Sequence, residues 1–133
     1  MSTVENRGWS VESFEAFWSH PDPTFVPGAL TEDVVGYWAG RNEPVRGPEE
    51  YTRCIAQLVE ALPDVRLEVA EQARHGDLTF IRWIMHATGR YGPFEFSGID
   101  RVRTRGLLVA ENVIVFDTAE FERRSGIPVP WSE

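Results

Sequence analysis

The chain has 133 residues and a mass of 15.1 kDa, the size of one domain, expected over residues 1–133. At 42% hydrophobic and 26% charged residues it is too apolar to be disordered, and its formal net charge of −8 opposes binding to nucleic acid or anionic lipid. The single cysteine, Cys54, excludes an internal disulfide, and no apolar run reaches the length of a membrane span. Met1 to Gly8 carries no signal-like segment and reads as flexible, so a soluble, cytoplasmic protein is expected. Five Trp, eight Phe and three Tyr exceed what so small a core requires.

Val11, Phe14, Phe17 and Trp18 follow helical spacing after a cap at Ser10, and the run His20-Pro21-Asp22-Pro23 ends that helix. A helical turn is expected within Thr24–Leu30. Val34 to Trp38 reads as a short strand closed by the turn residues Gly40 to Pro44. Pro48, Glu49 and Glu50 suit a helix start, and Tyr51, Ile55, Leu58, Val59 and Leu62 then make one apolar stripe, with Cys54 a buried thiol on the same helix.

Beyond Pro63 the period becomes two. Val65, Leu67 and Val69 alternate with charged residues, and His75-Gly76-Asp77 marks a hairpin. Strands are predicted at Leu78–Thr88, Phe94–Thr104 and Leu107–Phe116, followed by a short helix at Ala119–Arg124 capped by Asp117 or Thr118. The fold class is therefore α+β, with helices against one face of an antiparallel meander.

Strand parity singles out one carboxylate. Phe94, Phe96, Gly98, Asp100 and Val102 share a face, and Asp100 is its one charge. Burial there raises a carboxyl's pKa, which suits either a general acid or base or a structurally bonded Asp. On the preceding strand Arg82 and His86 share a face, but both faces are largely apolar, so parity does not say which one meets Asp100. If it is theirs, Arg82 would orient Asp100 or bind an oxyanion and His86 would shuttle a proton. Asn112 is the polar member of the face Ala110, Asn112, Ile114 and Phe116. Of Tyr37 and Trp38, Trp38 is expected inside.

His20, His75 and His86 stand too far apart for a zinc site, and phosphate-binding glycine loops and a nucleophile elbow are absent from the sequence. No metal or cofactor is called for. The chemistry left is cofactor-free acid–base work, or binding alone.

The segments Ala29–Val35, Val45-Arg46-Gly47-Pro48, Leu62–Val65, Phe80–Trp83, Gly98–Arg103 and Glu111–Phe121 occur in an order that resembles the nuclear transport factor 2-like superfamily, particularly its SnoaL-like branch. The resemblance implies a cone-shaped domain, a curved, mostly antiparallel sheet wrapped around N-terminal helices with an apolar pocket between, commonly as a homodimer. SnoaL-like cyclases use a single acid–base Asp in a hydrophobic pocket, a role open to Asp100 or Asp117. Related ketosteroid isomerases carry a catalytic Asp on the first strand, where this chain has Trp38 or its neighbours. The water-activating carboxylates of limonene-type epoxide hydrolases fall on Ile84 and Ile114, leaving only Arg82 of that site.

The leading expectation is an enzyme for a hydrophobic, carbonyl-containing small molecule. Asp100 would move a proton with His86 as partner, Arg82 and Asn112 would stabilise the oxyanion, and Trp38, Phe94, Phe96 and Phe116 would shape the pocket. The rival is a non-catalytic binder of an apolar small molecule or a protein.

Overall fold

Ser10 launches the first helix through reciprocal bonds: its hydroxyl accepts from the Ser13 amide at 3.0 Å, and Ser13 Oγ accepts from the Ser10 amide at 2.8 Å. The computed structural model describes residues 8–132; the expected flexible segment lies, apart from Gly8, outside them. Gly8 itself is buried, and a Cβ on it would come within 2.5 Å of Leu107. Helix α1 (Val11–Ser19) ends at His20, and two 3-10 turns, Pro23–Phe25 and Pro27–Ala29, carry the chain to β1 (Leu30–Trp38).

Strand β1 begins four residues before the predicted start. Glu32 and Asp33 have weak strand propensity, and with Thr31 they sit where the register shifts, between Leu30 and Val35. The two-residue β2 (Val45–Arg46) pairs with β1, although its surroundings read only as turn and helix start. Helix α2 (Gly47–Ala61) carries Pro48 in its first turn and buries Tyr51, Cys54, Ile55 and Leu58 along the predicted stripe.

The meander follows as β3 (Arg66–His75), β4 (Leu78–Gly89), β5 (Gly92–Arg105) and β6 (Leu108–Val115), then α3 (Thr118–Ser125). The connections are two residues each, and Gly76 and Gly106 take the positive φ that such turns need. Strand order is β2-β1-β6-β5-β4-β3, antiparallel except for β1 beside β6. The chain must traverse α2 and the whole meander before β6 returns to β1. The result is the expected α+β architecture: a curved, unclosed sheet with α2 packed on β1, α1 on β3 and α3 on β5. The apolar core lies between that inner sheet face and the helices. Among the described residues no helix is long and apolar enough to cross a membrane.

Candidate active site

The β4–β5 turn at Arg90-Tyr91 sets the register of the site. It pairs Gly89 with Gly92 and, further along, Trp83 with Gly98 and Ile81 with Asp100. Opposed residues share a face, so Asp100 points inward with Ile81 and Trp83. On the other side Val102 opposes Asn112 and Asp100 opposes Ile114, which brings Asn112 diagonally beside Asp100. Gly98 permits the next contact: a Cβ there would lie 2.4 Å from the Trp83 ring, so its absence lets the indole cross β5.

Trp83 Nε1 donates to Asp100 Oδ1 at 2.8 Å, and Asn112 Nδ2 donates to Asp100 Oδ2 at 3.1 Å. Asn112 Oδ1 accepts from Trp38 Nε1 at 2.8 Å and from the Tyr51 hydroxyl at 3.1 Å, while Nδ2 also donates to the Arg101 carbonyl at 3.4 Å. An indole N–H can only donate, so Trp38 fixes which end of the Asn112 amide is oxygen. Asp100 is 7% exposed and, among the described residues, has no cationic side chain as a hydrogen-bond partner. Burial raises its pKa to about 6, against the lowering effect of the bonds from Trp83 and Asn112. Burial, together with the nearby Asp100 charge, drives the Tyr51 phenol well above its ordinary pKa, so it stays neutral.

These groups face a cavity of about 540 Å³. Trp38, Trp83, Phe96, Phe116, Phe121 and Trp131 wall its Asp100 end through edge-to-face and tilted ring contacts, with centroids 5.3 to 6.4 Å apart. The exposed lining residues Ala16, His20, Phe25 and Gly28 mark its rim, formed by α1 and the 3-10 turns.

Four expected site residues require correction. Arg82 and His86 lie on the outer face of β4. Arg82 Nε binds Glu71 at 2.7 Å, and the His86 ring sits between Glu68 at 2.9 Å and Glu95 at 3.3 Å. The Arg82–Asp100–His86 cluster therefore does not form, because register puts the odd-numbered residues of β4 inside. Phe94 packs on Phe121 at 6.3 Å but does not line the cavity. Asn112 does line it, yet its amide is engaged on every side and has no donor left for a ligand carbonyl. Trp38, Phe96 and Phe116 stand on the cavity wall. Asp117 accepts from the Glu120 amide at 3.0 Å and caps α3 outside the cavity.

Of the positions compared with epoxide hydrolases, Ile114 lines the cavity and Ile84 does not; among the described residues Asp100 is the one carboxylate in the lining. Among the described residues no cluster of three or more His, Cys, Asp or Glu could hold a metal. Trp83, Tyr51 and Trp131 are site residues that the sequence reading missed. The two-residue turn at 90–91 would have revealed Trp83, since it fixes which face of β4 Asp100 shares.

The SnoaL-like polyketide cyclase family model matches residues 10–125, and the chain belongs to that family. A comparison with curated protein sequences finds no match. Among solved structures, a protein of ketosteroid isomerase-like fold from Catenulispora acidiphila, in complex with trimethylamine, aligns at TM-score 0.79 and 19% identity, covering 92% of this chain and 96% of that one. A candidate SnoaL-like polyketide cyclase from Jannaschia sp. aligns at TM-score 0.76 and 16% identity, covering 89% of each chain. IdmH, a candidate polyketide cyclase from Streptomyces antibioticus, aligns at TM-score 0.75 and 17% identity, with 88% and 96% covered. At these identities the structural likeness establishes the fold.

Proposed function

We propose that the cavity takes an apolar, carbonyl-containing small molecule and that Asp100 performs cofactor-free proton transfer on it, as a cyclase or isomerase requires. The observation that carries this reading is a buried carboxylate, without a cationic hydrogen-bond partner among the described residues, on the wall of an aromatic cavity. Ionised Asp100 takes a proton from the carbon beside the carbonyl, and the electron pair moves onto the carbonyl oxygen as an enolate. In an isomerisation the proton returns to another carbon; in a cyclisation the enolate carbon attacks a second carbonyl and the proton goes to the new alkoxide. Arg82 and Asn112 are not available to the enolate oxygen. Tyr51, which lines the cavity, would serve instead by turning its hydroxyl proton away from Asn112 Oδ1, which keeps Trp38. The 133 residues include no lysine, so imine chemistry on a lysine is closed to this chain.

The test is hydrogen–deuterium exchange at the acidic carbon of a simple fused-ring ketone such as 1-tetralone, followed by NMR. Wild-type protein should accelerate exchange and Asp100→Asn should not. Undiminished acceleration by that variant would sink the mechanism.

The trimethylamine in the Catenulispora structure favours a second reading, non-catalytic binding in which Asp100 pairs with a small ammonium ion held by the aromatic walls. Calorimetry with trimethylammonium chloride distinguishes the two, since that reading requires binding that Asp100→Asn removes. The homodimer common in the superfamily is carried over as a further proposal. Tyr37, Phe80, Ile99 and Val115, exposed on the outer sheet face, would supply its apolar contact, and sedimentation analysis checks it.

A further inference from the structure

The segment 126–132 follows α3 and lies beyond residues 10–125 that the family model matches. It is tied across the end of β1 at several points. Val129 packs on Gly40, where a Cβ would come within 3.1 Å of it. Trp131 Nε1 donates to the Ala39 carbonyl at 2.9 Å, and Arg41 Nη1 donates to the Trp131 carbonyl at 3.2 Å. Trp131 is 6% exposed and lines the cavity, with ring centroids 5.3 Å from Trp38 and 6.2 Å from Phe116. No hydrogen bond joins it to Asp100 or Asn112, so it contributes shape and leaves the polar network alone.

We propose that Trp131 is a specificity-determining residue: its indole closes the β1 end of the cavity and sets the size of ligand that reaches Asp100. A large aromatic side chain at that point rejects longer fused-ring molecules by steric exclusion, and a smaller one admits them. The proposal rests on the cavity being the ligand site proposed above, though not on proton transfer taking place there.

The experiment compares binding of a two-ring ketone, 1-tetralone, by calorimetry with that of a four-ring ketone, benzanthrone, by its own fluorescence. Wild type, Trp131→Phe, Trp131→Leu and Trp131→Ala are measured at neutral pH. The affinity ratio of benzanthrone to 1-tetralone should rise by about tenfold in Trp131→Ala, less in Trp131→Leu and least in Trp131→Phe. Should the alanine variant fail to fold, the graded shift from phenylalanine to leucine is read instead. A fall in both affinities with an unchanged ratio would leave Trp131 a structural residue only and overturn the proposal. Failure of wild type to bind either ketone would overturn it together with the ligand class. Binding and a shifted ratio without any proton exchange would remove the acid–base reading alone.

Discussion

Asn112 presents its amide nitrogen to Asp100 Oδ2 at 3.1 Å, and the indole N–H of Trp38 on its other end forbids the opposite orientation. An Asp100→Asn substitution is therefore not neutral in shape. With its oxygen kept on Trp83, the new amide sets its NH₂ against that of Asn112; flipped, it sets NH₂ against the Trp83 N–H. One buried donor is left without an acceptor either way, at a cost of about 1–3 kcal/mol. The double variant Asp100→Asn/Asn112→Asp pairs the two side chains again, because a carboxylate at 112 accepts from Trp38, Tyr51 and the new amide, while the Arg101 carbonyl loses its donor. Urea denaturation should show the double variant recovering part of the lost stability, while ketone exchange stays absent because the carboxylate has moved.

Stability should fall as Asp100 ionises. Its carboxyl has a pKa of about 6 in the fold against 3.8 as the ordinary value, so the native state holds more protons between these pH values. The contribution is fully present below about pH 4 and is lost as pH rises through about 6, amounting to roughly 3 kcal/mol. Asp64, lowered by the Thr88 hydroxyl, and Asp33, lowered by Arg105, act with the opposite sign; their contribution is lost as pH falls below 3.8. Denaturation at a series of pH values should thus show a decline from about pH 4 to 7 in wild type that Asp100→Ala lacks.

The rate carries its own pH signature. If Asp100 removes the proton it must be ionised, so kcat/KM for exchange should rise with pH, reach half its limit near the pKa of about 6 and then level. Tyr51 stays neutral far above this range and should add no falling limb. A profile that instead declines through the same pH would assign Asp100 to the acid role.

Arg82 and His86 should matter little to the chemistry. Arg82→Ala removes a surface ion pair with Glu71 and should cost at most about 1 kcal/mol. His86→Gln removes contacts with Glu68 and Glu95 on the outer face. Exchange rates of both variants should lie within about twofold of wild type, as expected of groups that never touch the reacting atoms. A hundredfold loss in either would show that the outer face takes part after all.

Gly98→Ala should damage the site from beneath. Its Cβ would lie 2.4 Å from Trp83 Cζ2 and Cη2 and 3.1 Å from Phe116 Cβ, so the indole must move off Asp100 Oδ1. Overpacking of this kind costs about 1–3 kcal/mol, read in a thermal melt. Losing the Trp83 bond also removes an influence that lowers the Asp100 pKa, so the exchange profile should shift to higher pH.

Much of this was legible in the residue pattern. Period-two alternation and turn residues located β3 to β6, helical spacing located α1 and α2, a cap at Asp117 or Thr118 located α3, and parity on β5 alone placed Asp100 inward beside Phe96. Parity failed on β4 for a physical reason. Phe80 and Ile84 make its outer face as apolar as the inner one that carries Ile81 and Trp83, so hydrophobicity cannot choose between them. Only the length of the 90–91 turn does. The pairing of β1 with β6 left no local trace, because it joins residues such as Trp38 and Ile114 across most of the chain. Tyr51 was read as one more member of an apolar stripe, since its spacing on α2 says nothing of where its hydroxyl ends.

The bonds that gather on Asn112 span 12, 61 and 74 residues of sequence, reaching Asp100, Tyr51 and Trp38. Contacts this distant close only after the entropy of large loops has been lost, and they tie β1, α2, β5 and β6 into one knot. A form that lacks β1 beside β6 would lack Trp38, and with it both the bond to Asn112 Oδ1 and one wall of the cavity around Asp100. The titration of this one carboxyl should thereby report whether that long-range strand pairing has formed.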